Sequence, residues 1–141
     1  MTTVLIVDDY EAWRRYVRAT LRLTGRWDII GEAADGPEAI QMAADLKPQL
    51  ILLDMTLPTL NGITVARRII KANGAQRILF VTEHRSFLEE AFATGATGYI
   101  VKSDASSELL PAMAAVAGGS RYIGTSVGRR ATEPSGVCDT A

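Results

Sequence analysis

The sequence predicts an α/β fold in which helices cover both faces of a parallel sheet. Short apolar runs bounded by polar residues recur along the chain, as is typical of buried parallel strands. Longer stretches between these runs carry apolar residues at helical spacing. Because five such runs alternate with five such stretches, we expect repeated βαβ units with right-handed crossovers.

The predicted strands are brief and consist mostly of Val, Ile and Leu. The clearest are VLIV, LILL and ILFV, which contain no polar residue. A less regular strand surrounds a pair of isoleucines, and a short strand, YIV, comes last. In chain order the predicted strands are residues 4–7, 29–30 with their flanks, 50–53, 78–81 and 99–101.

The first predicted helix has the most regular pattern. Trp13, Val17 and Leu21 recur every four residues, and Gly25 follows, where a helix commonly ends. We interpret Trp13, like Trp27, as a packing residue. A neighbouring stripe on this helix is basic and predicts a solvated face; it consists of Arg14, Arg18 and Arg22.

Four more helices are predicted from their apolar spacing and their end signals. The second runs over residues 37–46 and begins at a proline, whose missing N–H costs little there. The third begins after Asn61-Gly62, and the fourth ends near Gly95. The fifth contains Pro111, which predicts either a late start or a kink.

Composition and charge bound the class of protein. The chain has 141 residues, 48% of them hydrophobic and 22% charged, which fits one ordinary globular domain. A net charge of −1 gives no general attraction to nucleic acid or to an anionic membrane. The chain has a single cysteine, Cys138, which fits a reducing compartment. The N-terminal apolar run is too short for a signal peptide or a membrane span, so we predict a cytoplasmic location without a membrane partner.

The composition changes near the C-terminus. The segment GTSVGRRATEPSGVCDTA is rich in Gly, Ser, Thr and Pro and has no apolar periodicity. We therefore predict one domain over residues 1–123 and a flexible tail over residues 124–141.

Four of the predicted strands end in a polar side chain. Asp8 and Asp9 follow the first strand, Asp54 the third, Thr82 the fourth and Lys102 the fifth. Because the carboxyl ends of parallel strands share one edge of the sheet, where open α/β proteins bind ligands, these side chains should meet in one pocket.

The three carboxylates need a positive partner. Two like charges about 4 Å apart repel by about 4 kcal/mol at an effective dielectric constant of about 20. One lysine supplies a single charge, so a hard divalent cation such as Mg²⁺ is the natural complement. Mg²⁺ and Lys102 together would neutralise a phosphoryl group on or near Asp54, which predicts phosphoryl-transfer chemistry.

At this point the motifs resemble a known family. In their order and spacing, VLIVDD, LILLDMTLPTLNG, ILFVT and GATGYIVK are similar to the receiver domains of two-component response regulators, over residues 3–123. The resemblance implies a doubly wound, five-stranded parallel sheet of strand order 2-1-3-4-5, the flavodoxin-like (βα)5 fold.

The resemblance also implies roles for the pocket residues. Asp54 would accept a phosphoryl group from a histidine kinase or a phosphotransfer protein. Asp9 would bind Mg²⁺ directly and Asp8 through water, with Asp54 and the backbone carbonyl of Thr56 completing the protein ligands. Lys102 would contact a phosphoryl oxygen.

Two further residues would form a switch in such a domain. Thr82 would move its hydroxyl onto the phosphoryl group, and the ring of Tyr99 would then turn inward. The surface formed by the fourth helix, the fifth strand and the fifth helix would change and be recognised by partners. That surface is also a candidate for a homodimer contact.

This sequence differs from most of the family at the position after Thr82, where most members have a small residue. Glu83 stands there and should repel phosphoryl donors and slow their reaction. His84 and Thr56 occupy positions that flank the attacking water in relatives, so we expect them to adjust the lifetime of the phosphorylated state.

Alternative functions stay open. A degenerate receiver would bind proteins without being phosphorylated, and Glu83 keeps that alternative in view. Haloacid-dehalogenase-like phosphatases also use an aspartate nucleophile and Mg²⁺, but they carry a second aspartate two residues later, where this chain has Thr56. A nucleotide-binding module would need a Gly-rich turn after the first strand, and DDYEAW is acidic there.

The end of the match is similar to receivers that precede a helix-turn-helix DNA-binding domain. The segment ELLPAMAAVAGGSRYIGTSV carries this likeness. We expect no DNA-binding domain within these 141 residues, and whether the chain is a stand-alone receiver or a truncated regulator stays open.

Overall fold

A computed structural model of the chain describes residues 1–127. Its centre is a parallel sheet of six strands in the order β2-β1-β3-β4-β5-β6. The strands are β1 (Thr2–Val7), β2 (Trp27–Ala33), β3 (Leu50–Leu53), β4 (Arg77–Thr82), β5 (Gly98–Val101) and β6 (Tyr122–Ile123). The predicted order of the first five strands is confirmed.

The predicted number of five strands is wrong by one. β6 pairs in parallel with β5, with Tyr122 opposite Gly98 and Ile123 opposite Tyr99. Gly124 N also donates to the carbonyl of Tyr99 at 2.8 Å. A strand of two residues is too short to show an alternation of apolar and polar residues in the sequence, so β6 is identified only by its pairing with β5.

Five α-helices connect the strands. They are α1 (Glu11–Thr24), α2 (Gly36–Leu46), α3 (Gly62–Ala72), α4 (Leu88–Ala93) and α5 (Ala105–Ala117). Gly25, at φ 68°, ends α1 as predicted. Asp35 accepts a hydrogen bond from Glu38 N at the start of α2, and Asn61 accepts one from Thr64 N at the start of α3.

Pro111 neither delays the start of α5 nor ends the helix. A 3-10 turn, Lys102–Asp104, leads directly into α5, and the helix continues past Pro111 to Ala117. The proline is exposed, so the carbonyl one turn earlier, on exposed Ser107, can be solvated instead of bonded within the helix.

Helices lie on both faces of the sheet, which makes the fold doubly wound. On one face, α2, α3 and α4 pack on alternate strand residues that include Leu5, Leu53 and Tyr99. On the other face, α1 and α5 pack on the intervening residues, among them Ile6 and Leu52. Among the described residues no helix is long and apolar enough to cross a membrane.

The chain stays packed for four residues past the predicted domain boundary. Buried Glu108 of α5 accepts hydrogen bonds from the backbone and the hydroxyl of Thr125, at 3.1 and 2.8 Å. Val127 is fully buried in the same cluster as Tyr99. The rest of the predicted tail, residues 128–141 with Cys138, lies outside the described residues.

Candidate functional site

The carboxyl ends of β1, β3, β4 and β5 surround one pocket of about 380 Å³. In each of these strands the residues just before the carboxyl end are buried, so burial of that segment determines where the polar side chain emerges. The pocket is lined by Asp9, Tyr10, Asp54, Thr56, Thr82, Glu83, His84 and Lys102. Asp8 lies beside it and is 1% exposed. The structure therefore brings together all the pocket residues named from the sequence.

The three aspartates form a cluster that fits a hard cation. Asp8, Asp9 and Asp54 each offer one carboxylate oxygen, and these oxygens all lie within 4.8 Å of one another. Oxygen donors of this kind are those that Mg²⁺ prefers. Asp9 is exposed at the pocket, whereas Asp8 and Asp54 are buried. A cation would therefore enter the site from solvent, past Asp9.

Lys102 lies between the two buried carboxylates. Its Nζ is 2.7 Å from Asp8 and 3.5 Å from Asp54. Burial lowers the pKa of the Lys102 amine, but the hydrogen bond to Asp8 and the charges of both aspartates outweigh burial, so the net pKa is raised. Lys102 is therefore a fixed positive charge in the pocket.

The surroundings of Asp54 disturb its ionisation. Burial, and then the negative charge of Asp8, raise the pKa of Asp54 from 3.8 to about 6. Lys102 and the hydrogen bond from Met55 N, at 2.7 Å, act in the opposite direction and do not cancel this rise. Ionisation of Asp54 is thus unfavourable beside Asp8, and a cation bound to these carboxylates would favour it.

His84 makes hydrogen bonds to three other residues in or next to the pocket. Its ring Nε2 shares a hydrogen bond with the hydroxyl of Thr56 at 3.1 Å, and both residues line the pocket. Its backbone N–H donates to the hydroxyl of Thr82 at 3.3 Å, and its carbonyl accepts from the hydroxyl of Tyr99 at 2.7 Å. A single residue therefore contacts Thr56 and both proposed switch residues.

Tyr99 already points inward in this structure. The residue is fully buried, and its ring lies 6.3 Å from that of Phe80, centroid to centroid. Burial raises the pKa of the Tyr99 phenol to about 12, so the hydroxyl stays a donor at every ordinary pH. The inward position expected only after phosphorylation is thus the one described here.

Sequence reasoning missed two residues of α1 that touch the site. Trp13, interpreted as a packing residue, also holds its ring 5.1 Å from Lys102 Nζ. Arg14 donates to the carbonyl of Asp8 at 2.6 Å. The available signal was position, because both residues lie in the turn of α1 that follows the Asp8-Asp9 pair.

The basic stripe of α1 is not simply a solvated face. Arg14 and Arg18 both form ion pairs with Glu32 of β2, the first at 3.1 Å. Both arginine side chains are less than one-third exposed. Arg22, at the far end of the helix, is exposed as predicted.

The sequence is similar to known regulatory proteins of bacteria. The chain is 28% identical over 122 residues to the transcriptional regulatory protein DegU of Brevibacillus brevis, covering 85% of this chain and 52% of DegU. It is 38% identical over 111 residues to the positive alginate biosynthesis regulatory protein of Pseudomonas aeruginosa, covering 78% of this chain and 45% of that protein. The chain thus spans about half the length of these two relatives.

Solved structures agree with the fold. A two-component response regulator of the LuxR family from Aurantimonas sp. SI85-9A1 superimposes with a TM-score of 0.87 at 32% identity, over 91% of this chain and 93% of that chain. The response regulator domain of Thermotoga maritima CheB gives a TM-score of 0.78 at 27% identity, over 84% and 97% of the two chains. The family profile of the response regulator receiver domain matches residues 4–114. With this match over most of its length, the chain belongs to the response regulator receiver domain family.

Proposed function

We propose that this chain accepts a phosphoryl group on Asp54 in a Mg²⁺-dependent reaction with a histidine kinase or a phosphotransfer protein. Acceptance of a phosphoryl group on an aspartate is the general function of the family. The observation that carries the assignment is the convergence of three aspartates and one lysine at a single pocket. Among these aspartates, Asp54 is the one that is both buried and part of the pocket lining, and it also contacts Lys102.

Each pocket residue has a defined part in this proposal. The Asp54 carboxylate is the nucleophile, and its pKa of about 6 leaves it ionised at neutral pH. Asp8, Asp9, Asp54 and the backbone carbonyl of Thr56 would hold Mg²⁺, which when bound would neutralise charge on the phosphoryl oxygens. Lys102 would bind a further phosphoryl oxygen and so stabilise the charge of the transition state.

The switch is proposed to work through His84. If the Thr82 hydroxyl turns toward a phosphoryl group, it gives up the hydrogen bond from His84 N. The same residue's carbonyl holds the Tyr99 hydroxyl, so a shift of His84 reaches β5 directly. The surface of α4, β5 and α5 would then change for a partner or a second copy of the chain, and β6 forms part of it.

The proposal is tested by incubating the protein with Mg²⁺ and acetyl phosphate and measuring its intact mass. We expect one added phosphoryl group in the wild type and none in Asp54→Asn. Omitting Mg²⁺ should suppress the addition. A wild-type protein that acquires no phosphoryl group, although it is folded and Mg²⁺ is present, would favour a receiver that binds partners without phosphorylation.

Glu83 is expected to slow this reaction. It is exposed at the pocket rim and adds a fourth carboxylate to a pocket with one lysine. Replacing Glu83 with Gln keeps its size and removes its charge, so phosphorylation by acetyl phosphate should become about three-fold faster. The rate is read from the same mass assay as a function of time.

The matched control for this experiment is Asp28→Asn. Asp28 is exposed in the first part of β2, at the end of the sheet opposite the pocket, and its substitution removes the same charge. If both variants react equally faster, the effect is due to net charge and not to the position of Glu83. If Glu83→Gln reacts no faster than the wild type, Glu83 does not slow phosphorylation.

The Thr56–His84 hydrogen bond is proposed to control the lifetime of the phosphorylated state. It joins two exposed residues that line the same pocket as Asp54. The half-life of the acyl phosphate in His84→Ala tests this role, and an unchanged half-life removes it.

A further inference from the structure

Lys102 has a third neighbour besides the two carboxylates. Its Nζ lies 5.1 Å from the centroid of the Trp13 ring, within the range of about 6 Å in which an ammonium and an aromatic face attract each other. The Lys102 side chain is only 12% exposed, so water screens this attraction weakly. The indole closes one side of the lysine, and Asp8 and Asp54 close another.

The two carboxylates that pair with Lys102 would also bind the metal ion. Asp8 and Asp54 are also the residues that would hold Mg²⁺, and a cation bound to them weakens their attraction for an ammonium. Lysine carries its charge on a flexible four-carbon stem, so an ammonium released from Asp8 is free to turn toward solvent. The aromatic face of Trp13 carries no ligand atom for Mg²⁺ and remains available to the ammonium.

The position of Trp13 is itself fixed relative to the pocket. Its ring packs at 5.2 Å, centroid to centroid, against Tyr16 one turn later in α1. It also packs against the core cluster shared by α1 and α5. The next residue, Arg14, donates to the carbonyl of Asp8 and so attaches this turn of α1 to the end of β1.

We propose that Trp13 is a positioning residue for Lys102, and that its indole face keeps the ammonium in the pocket when a cation occupies the carboxylates. This inference rests on the proposed phosphorylation of Asp54. Trp13 is not among the residues that line the pocket, so it acts through its contact with the lysine. A purely structural Trp13 would fill space, and any apolar side chain of similar size would then serve equally well.

The experiment compares ring-keeping and ring-removing variants in the phosphorylation assay with Mg²⁺ and acetyl phosphate. We expect Trp13→Leu to acquire the phosphoryl group about five-fold more slowly than the wild type. Trp13→Phe keeps an aromatic face and should recover most of the rate. Equal rates in Trp13→Leu and the wild type, or a Trp13→Phe as slow as Trp13→Leu, would overturn the inference.

A matched control separates positioning from loss of packing. Trp27 belongs to the same core cluster as the one Trp13 packs against, but it begins β2 at the opposite end of the sheet, beside Thr2. Trp27→Phe should lower the thermal midpoint and keep the wild-type phosphorylation rate when assayed well below that midpoint. A Trp27→Phe variant slowed as much as Trp13→Leu would assign the effect to stability and overturn the inference.

A second readout does not depend on phosphorylation. Because the ammonium lies over the indole, Lys102→Met should change the tryptophan emission of the metal-free protein, and the same substitution in a Trp13→Phe background should not. Unchanged emission in Lys102→Met would contradict the contact. A wild type that acquires no phosphoryl group would remove the proposed function while leaving the fluorescence result intact, so the two failures are distinguishable.

Discussion

Above about pH 7 and without divalent cations, Asp54→Asn is expected to be more stable than the wild type. Burial of the Asp54 carboxylate and, to a smaller extent, the negative charge of Asp8 raise the pKa of Asp54 from 3.8 to about 6. Asparagine has nearly the same shape and no charge, so it removes an unfavourable ionised group. The full shift corresponds to about 3 kcal/mol. Screening by solvent in the open pocket reduces the expected gain to about 2 kcal/mol.

The pH dependence of this difference has a definite sign. A raised carboxyl pKa means that the folded state holds its proton more tightly, so Asp54 lowers wild-type stability as pH rises from 3.8 to about 6. The stability difference between Asp54→Asn and the wild type should therefore be small near pH 4 and grow until about pH 7. Urea unfolding at several pH values in the presence of a chelator measures it.

Magnesium should reverse the comparison. A cation on the carboxylates stabilises the folded wild type by mass action, and the variant lacks one of the ligands. Asp28→Asn, an exposed position far from the pocket, serves as the control and should show neither effect. A variant that is less stable than the wild type at every pH would contradict the assignment of a strained carboxylate to Asp54.

Gly62→Ala is expected to destabilise the protein by about 3 kcal/mol and to disrupt the pocket. A Cβ atom at this position would lie 2.2 Å from the carbonyl oxygen of Asp54 and 2.7 Å from the Cα of Met55. Both are backbone atoms, so no side-chain rotation relieves the overlap. Gly62 N also donates to the carbonyl of Met55 at 2.7 Å, which holds the start of α3 against the loop after β3.

The matched control is Gly74→Ala. Gly74 lies in the turn between α3 and β4, and a Cβ there would meet nothing within 4 Å. Its effect on the free energy of unfolding should stay within about 0.5 kcal/mol. Urea unfolding measures both variants, and Mg²⁺ titration reports the pocket. Similar stability of the two alanine variants would show that the Asp54 loop yields more easily than its contacts indicate.

The sequence was informative wherever a local pattern determines a position in space. An apolar run that ends in Asp54 or Lys102 must be buried up to that residue, and parallel strands bring such ends to one edge. The meeting of the carboxylates and the lysine was therefore predictable. Helices on both faces of the sheet were predicted from the alternation of strands and helices, and the order of the first five strands followed from the family resemblance; the structure agrees with both.

The parts that were missed depend on contacts between distant segments. The hydrogen bond between Thr56 and His84 depends on how two loops bend, which no spacing in the sequence records. The ion pairs of Arg14 and Arg18 depend on where Glu32 stands in β2, which is set by pairing with β1. Trp13 has the spacing of a core residue, and its contact with Lys102 adds a second role that the spacing does not show.

The sixth strand has a consequence for aggregation. An unpaired edge of β5 would offer backbone N–H and C=O groups to a strand from another chain, but β6 occupies that edge with only two residues. At the other edge of the sheet, the register between β1 and β2 shifts after Val4, and the second residue of β2, Asp28, is exposed. A template of two residues and an irregular, charged strand are both poor starting points for edge-to-edge polymerisation.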